Sequence, residues 1–171
     1  MKIYNTELDK VLLIKIEAFK DHRGFYLETY NKKCYMDNNI DIDFIQDDIS
    51  VSKRNVLRGI HGDNKTWKLV SCLFGEFYLV VLNNDEESSQ YGKWTSFILS
   101  PEKYEQVLIP PKFGTGHLVL SEKAIFHYKQ NTYYDPESQF SIKWNDQNFN
   151  IFWPINNPVL SKRDISGKIQ S

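Results

Sequence analysis

The sequence predicts an all-β protein, a double-sheet jelly roll with little helix. Short apolar runs recur along the 171 residues, and clusters of turn-forming residues separate them. Aromatic residues make up 15% of the chain, which favours strands. The one helix candidate in the first half, residues 31–39, has a weak pattern that ends at Asn38 and Asn39. The length suggests a single domain over residues 1–171 with a sizeable core.

The strand candidates follow one another in short steps. They are residues 11–16, 19–30, 44–52, 68–74, 76–82, 94–99, 105–109, 117–120, 124–134 and 142–144. Gly75 marks a tight turn between two of them, and residues 113–116 read as a glycine-rich bend. Many short strands with turns between them predict a sandwich or barrel, and the chain length favours a jelly roll whose mouth can hold a ligand.

Residues 55–70 form a charged stretch with apolar ends. The cluster at residues 62–64 predicts a turn, with His61 at the end of one strand and Lys68 at the start of the next. A strand end holds a side chain firmly, so a titratable His and a cation could share a pocket there. The alternative is a polar hairpin tip whose charges lie in water.

The composition excludes several function classes. A net charge of −1 gives no overall attraction to nucleic acid or to an anionic membrane, so any anion site is local. Two cysteines indicate no disulfide framework. No apolar run is long enough to span a bilayer, and the N-terminus lacks a signal-peptide core, so the cytoplasm is the expected location.

The motifs favour acid–base chemistry without a metal or cofactor. His61 has no second His nearby, and a site made of His61, His117 and a distant carboxylate has little support. Nucleophile-elbow, P-loop and dinucleotide fingerprints are absent from the sequence. A His base needs an orienting carboxylate, an acid on the opposite side and a cation near the developing oxyanion. The chain has candidates for each role, but spacing alone does not assemble them.

Thirteen short motifs occur in a fixed order along the chain. They are residues 21–30, 44–46, 55–61, 68–70, 91–94, 99–100, 109–110, 120–121, 128–129, 133–134, 144–146, 153–154 and 160–164. In this order, and nearly end to end, the chain resembles the dTDP-4-dehydrorhamnose 3,5-epimerase family, the RmlC-like cupins. The resemblance implies a cupin-type jelly-roll homodimer, partly strand-exchanged, with no metal and no cofactor.

The resemblance also implies a reaction and its catalytic residues. The substrate is a nucleotide-diphosphate 4-keto sugar, whose ketone acidifies the protons on C3 and C5, and one or both carbons are inverted. By resemblance His61 is the base and Asp164 the carboxylate that orients it. Tyr128 resembles the acid on the other face, and Lys68 the cation beside the enolate oxygen. Without the resemblance, Tyr128 reads as a barrel-wall residue and Asp164 as a solvated tail charge.

Five further residues match the family's binding positions. Arg58 and Arg23 match arginines near the sugar nucleotide, where a guanidinium suits phosphate oxygens. Glu28, Gln46 and Tyr133 match positions that line the nucleotide or sugar site. Arg23 and Glu28 are expected to serve the partner subunit. A hairpin salt bridge is the alternative for Arg58.

Two departures from the family pattern concern substrate recognition. The family's active-site His is replaced by Thr115, and a new His117 appears two positions on, so both are expected in the substrate site. The base machinery looks retained, and the favoured substrate is a GDP-4-keto-(6-deoxy)-heptose for surface polysaccharide. The alternatives are dTDP-4-keto-6-deoxyglucose, a sugar 3,4-ketoisomerase reaction, and a non-catalytic sugar-nucleotide-binding cupin.

Overall fold

The structure is a computed structural model that describes residues 1–168. Residues 1–168 form thirteen strands, two short helices and two 3₁₀ turns. The strands are β1 (Lys2–Asn5), β2 (Leu12–Lys15), β3 (Ala18–Asp21), β4 (Gly24–Leu27), β5 (Gln46–Lys53), β6 (Leu57–Asp63), β7 (Lys68–Phe74), β8 (Phe77–Asn83), β9 (Trp94–Leu99), β10 (Glu105–Ile109), β11 (Phe113–Val119), β12 (Lys123–Gln130) and β13 (Gln139–Ser141). The helices are α1 (Lys32–Met36) and α2 (Lys162–Ser166), and the 3₁₀ turns are Pro101–Lys103 and Pro136–Ser138.

The strands form two antiparallel sheets and a separate hairpin. The six-stranded sheet has the order β1-β2-β10-β7-β12-β5, and the five-stranded sheet has the order β13-β6-β11-β8-β9. Within the described residues, strands β3 and β4 pair only with each other. This arrangement confirms the predicted double-sheet jelly roll.

The main core lies between the inner faces of the two sheets. Phe77, Leu79 and Val81 alternate along β8 and pack against residues of the opposite sheet such as Val70 and Val107. Alternation of this kind places every second side chain of a strand on the same face. Both outer faces are also covered, which explains why β8 is buried on both sides.

Two chain segments provide that cover. The C-terminal tail packs Trp153 and its neighbours over the outer face of the five-stranded sheet, and the Trp153 indole donates a hydrogen bond of 2.8 Å to the carbonyl of Trp144. Helix α1, capped by the Asn31 side chain, places Tyr35 over the outer face of the six-stranded sheet. Tyr35 also donates a hydrogen bond to the buried Gln106.

The glycine-rich bend predicted at residues 113–116 is wrong, because these residues are the first half of β11. The glycines serve close packing and not a turn. A Cβ at Gly114 would collide with Ile60, and one at Gly116 would approach the Ile60 Cδ1 to 2.8 Å. The lack of side chains at Gly114 and Gly116 leaves room beside β11 for the Ile60 side chain of β6.

Other predicted boundaries also differ from the structure. Strand β6 continues to Asp63, and β6 and β7 lie in different sheets, so the alternative of a hairpin tip is wrong. The long strand predicted to residue 134 ends at Gln130, where the chain turns. The short strand predicted at 142–144 lies at 139–141, although Ile142 still exchanges both backbone hydrogen bonds with Ile60.

Cys34 and Cys72 are both free thiols. In residues 1–168, no helix has the length and apolar character needed to cross a membrane.

Candidate active site

A cavity of about 230 Å³ opens between the two sheets. Six of the residues predicted for the site line it: Arg58, His61, Lys68, Thr115, His117 and Tyr128. Six others that the sequence did not single out complete the lining: Ser50, Phe126, Gln130, Tyr134, Gln139 and Arg163. The cavity therefore collects side chains that lie far apart in the sequence.

One wall of the cavity belongs to the six-stranded sheet. Strand pairing places Gln130 of β12 directly beside Lys68 of β7. Tyr128 lies two residues before Gln130 on β12. Phe126 lies two residues before Tyr128 on β12, and it pairs with Ser50 of β5. Residues two apart on a strand share a face, so β12 presents Phe126, Tyr128 and Gln130 together.

The opposite wall belongs to the five-stranded sheet and contains an irregularity. Thr115 pairs with His61, and His117 pairs with Arg58. A stretch of three residues along β6 therefore lies opposite a stretch of two residues along β11, which is a β-bulge. A bulge of this kind re-aims side chains and is common beside active sites. It brings both Arg58 and His61 to the cavity, although simple alternation would place them on opposite faces. Gly59, at φ 126°, provides the unusual backbone conformation between them.

His61 lies against Asp164, as the resemblance implied. Its Nε2 is 2.9 Å from the Asp164 Oδ1, an ion-pair distance, although the ring is not aligned for a full hydrogen bond. Burial lowers the pKa of His61, and the contact with Asp164 opposes that effect only in part. His61 is therefore neutral near pH 7, the form in which imidazole accepts a proton.

The start of helix α2 fixes Asp164. Its Oδ2 accepts hydrogen bonds from the Ser161 hydroxyl at 2.6 Å and the Ser161 N–H at 3.2 Å, and Oδ1 accepts one from the Gly59 N–H at 3.0 Å. Ser161 in turn caps the helix by accepting from the Asp164 N–H, so the pair forms a capping box. Burial raises the Asp164 pKa, but the contacts with His61, Ser161 and Gly59 outweigh it and hold the pKa at about 2. The expectation of a solvated tail charge is wrong, because Asp164 is only 2% exposed.

Lys68 and Tyr128 face His61 from the other sheet. Burial lowers the pKa of Lys68, and Asp63 opposes that shift. Burial, followed by the nearby Asp48, raises the pKa of Tyr128 to about 12. Tyr128 therefore keeps its proton near neutral pH and can donate it.

The structure leaves four predicted binding residues outside the cavity lining. Arg23, in the turn of the β3–β4 hairpin, forms an exposed ion pair of 2.6 Å with Asp21. Glu28 follows the same hairpin. Gln46 hydrogen-bonds the Asp48 side chain and the Tyr134 backbone, and Tyr133 is 75% exposed.

Some of the missed lining residues left a signal in the sequence. Tyr134, next to the predicted Tyr133, is the tyrosine that reaches the cavity. Gln130 follows Tyr128 by two residues, so alternation along the strand indicates it. Arg163 precedes Asp164 and donates to the Ser141 hydroxyl at 3.3 Å. Gln139 had no such signal, because its strand was not predicted at those residues.

The arrangement can move protons at carbon. It holds a neutral base with a carboxylate behind it on one wall and a protonated phenol with a lysine on the other. Within residues 1–168, no three His, Cys, Asp or Glu side chains group together as metal ligands.

Comparison with known proteins agrees with this chemistry. A family model described as dTDP-4-dehydrorhamnose 3,5-epimerase matches residues 5–170. A Shigella flexneri protein of that name is 38% identical over 172 residues, which cover 98% of this chain and 95% of that protein. A dTDP-4-dehydrorhamnose 3-epimerase of Streptomyces niveus is 29% identical over 168 residues, which cover 96% of this chain and 81% of that protein.

Solved structures extend the similarity to three dimensions. The crystal structure of the dTDP-6-deoxy-D-glucose-3,5-epimerase RmlC of Legionella pneumophila Philadelphia 1, in complex with dTDP-4-keto-L-rhamnose, matches with a TM-score of 0.92. That match has 39% identity and covers 98% of this chain and 92% of the other. Fold and site thus define an isomerase, a carbohydrate epimerase on a cupin-like jelly roll. The chain belongs to the dTDP-4-dehydrorhamnose 3,5-epimerase family, because the family model spans nearly all of it.

Proposed function

We propose that the protein epimerises C3, or C3 and C5, of a nucleotide-diphosphate 4-keto sugar. The observation that carries this proposal is the placement of His61 and Tyr128 on opposite walls of one cavity, with Asp164 behind His61. Inversion of a carbon requires that a proton leaves one face and another returns to the opposite face. A base and an acid on facing sheets meet that requirement.

Each step has a residue in position to perform it. The His61 nitrogen that does not face Asp164 takes the proton from the carbon beside the ketone, and the C–H electron pair forms an enolate. Lys68 stabilises the charge on the enolate oxygen, and Tyr128 donates its proton to the other face of the carbon. The His61 proton and the Tyr128 phenolate are then exchanged with solvent. Proton-transfer groups of this kind each contribute about 10²–10⁴-fold in rate.

Two substrate classes compete for the site. The relatives described above are named for dTDP-linked sugars, which favours dTDP-4-keto-6-deoxyglucose. One observation favours the second class, a GDP-4-keto-heptose destined for surface polysaccharide. The cavity contains Thr115 where the family pattern has a His, and His117 two residues further on. These two residues alter the hydrogen-bonding groups beside His61 relative to the family pattern, which suits a sugar different from the one that the relatives are named for.

A homodimer would account for the residues that lie outside the cavity. The β3–β4 hairpin exposes large aromatic side chains, with Phe19 69% and Tyr26 68% exposed. Exposed apolar area of this kind is typical of an interaction surface. On this proposal the hairpin docks on a second copy, and Arg23 and Glu28 reach the partner's sugar nucleotide.

Solvent exchange tests the proposal directly. The protein is incubated in D₂O with GDP-4-keto-heptose, its 6-deoxy form or dTDP-4-keto-6-deoxyglucose, and C3–H and C5–H are followed by NMR. Deuterium at C3 alone, or at both carbons, is the expected result, and the substrate that exchanges identifies the nucleotide and the sugar.

Other outcomes would refute the proposal. A product whose carbonyl has moved to C3 would indicate the ketoisomerase reaction. Binding without exchange in all three substrates would indicate a non-catalytic sugar-nucleotide-binding protein.

A further inference from the structure

His117 is a buried polar side chain without a protein partner. It is 5% exposed, and its ring stacks on Phe126 with a centroid distance of 4.1 Å and an interplanar angle of 8°. Phe77 lies against it at 5.5 Å. Across residues 1–168, no hydrogen bond involves its ring, and its nitrogens keep some accessible surface on the side of the cavity that the residue lines. A polar group with so little exposure is ordinarily paired, and here the cavity is where a partner can reach it.

The surroundings of His117 keep its ring neutral. Burial is the main cause, and the charges of Arg58 and of a protonated His61 act in the same direction. Asp164 acts in the opposite direction without outweighing them, so the pKa of His117 falls to about 3. A neutral imidazole offers one N–H donor and one nitrogen acceptor. It carries no charge for a phosphate, so it suits an uncharged oxygen.

The position of His117 indicates which part of a ligand it contacts. It is the register partner of Arg58, whose guanidinium suits a diphosphate. It lies two residues along β11 from Thr115, the register partner of His61, which corresponds to about 7 Å along a strand. A sugar held between a diphosphate at Arg58 and the base at His61 therefore passes over the His117 ring.

We propose that His117 is a specificity-determining residue that hydrogen-bonds an uncharged hydroxyl of the sugar, with its ring held in plane by Phe126. This inference rests on the proposed function and adds a subsite to it. The stacking fixes the direction of the ring nitrogens, so the site distinguishes sugars by where they carry a hydroxyl.

The variant His117→Phe distinguishes an effect on substrate binding, measured as KM, from an effect on stability, measured as melting temperature. A Phe ring at this position keeps the stack on Phe126 and removes the unpaired nitrogens, so the melting temperature of the unliganded protein is expected to stay the same or rise. The KM is expected to rise at least about tenfold, since a buried hydrogen bond to the substrate is lost, while kcat stays within about threefold. The variant His117→Gln, which keeps a neutral donor and acceptor, is expected to recover part of the loss in KM.

A cycle between protein and substrate variants identifies the hydroxyl. Wild type and His117→Phe are compared on the substrate that exchanges and on its 2-deoxy and 6-deoxy or 6-hydroxy counterparts. For the hydroxyl bound by His117, its removal weakens wild type but has little further effect on His117→Phe, and this non-additivity supports the inference.

Three results would overturn the inference while leaving epimerase activity in place. They are additive effects with every substrate pair, a fall in melting temperature for His117→Phe, and a loss of kcat with unchanged KM. Absence of exchange in the wild type would instead refute the proposed function, so the two failures are distinguishable.

Discussion

Two histidines of this molecule each lie against an aspartate, in very different settings. His61 approaches Asp164 at 2.9 Å beside the cavity, and His127 approaches Asp47 at 2.5 Å on the other face of β12 from Tyr128. The Asp164 side chain is 3% exposed and the Asp47 side chain 50% exposed. The same two residue types therefore form a candidate catalytic pair in one place and a surface-linked pair in the other.

The two pairs differ in which other groups contact the carboxylate and in whether the imidazole lines the cavity. Asp164 accepts hydrogen bonds from backbone and from Ser161, all fixed groups, and His61 lines the cavity. Asp47, whose side chain is 50% exposed, shares its second oxygen with the Lys129 ammonium, and His127 does not line the cavity. A His–Asp contact alone is thus weak evidence of catalysis, and what distinguishes the candidate pair is a fixed carboxylate beside an imidazole that lines the cavity.

Replacing the two histidines gives the largest expected contrast. His61→Asn is expected to reduce deuterium exchange at the sugar carbons by about 10²–10⁴-fold, because the proton-accepting group is removed. The matched variant His127→Asn is expected to stay within about threefold of wild type, since it changes no group in the cavity. Exchange rates from NMR in D₂O provide the measurement. Full exchange in His61→Asn would refute the assignment of the base.

Replacing the two aspartates sharpens the contrast at the carboxylate. Asp164→Asn keeps the size and the capping oxygen but removes the charge, and an exchange rate lower by about 10–10²-fold is expected. Because Asp164 raises the His61 pKa, the acid limb of the pH–rate profile should move to lower pH in this variant. Asp47→Asn is the control, with an unchanged rate and profile. An unshifted acid limb in Asp164→Asn would argue against coupling between the two residues.

His117, a cavity histidine without a carboxylate contact, extends the comparison with a smaller effect. Its pKa is about 3 in the folded protein against 6.5 ordinarily, so the unfolded chain binds more protons between these values. Stability from this group is complete above pH 6.5 and is lost as the pH falls toward 3. Between pH 7.5 and 5.5, wild type should lose about 1.4 kcal/mol in free energy of unfolding that His117→Phe retains. Urea denaturation at both pH values measures the difference, and parallel losses in the two proteins would contradict it.

Much of the fold follows from sequence periodicity, and the exceptions have physical causes. Alternating or continuous apolar runs, bounded by turn residues, locate most strands of both sheets. Residues 113–116 mislead, since glycine indicates a turn in sequence but here permits close packing on Ile60. Helix α2 is only five residues long, too short for a helical period, and its sole signal is the capping pattern of Ser161 and Asp164.

The site is predictable in part for similar reasons. The family resemblance indicates His61, Lys68, Tyr128 and Asp164, which the structure brings to one place. Alternation cannot predict that Arg58 joins them, because the bulge in β6 breaks the period. Tyr133 and Tyr134 are adjacent, and only Tyr134 lines the cavity within the part of the chain that the structure describes, so the role of Tyr133 stays a prediction.

The capping box at Ser161 lies near the end of the described chain, and it fixes the carboxylate of Asp164 that contacts His61. Asp164 holds the Gly59 N–H across 105 residues of sequence, and every strand of both sheets precedes it. A chain that ends before Ser161 keeps every strand of both sheets described here but lacks the carboxylate that contacts His61. On the proposed mechanism, we therefore expect proteolysis that removes this segment to reduce activity while the chain keeps the strands of both sheets.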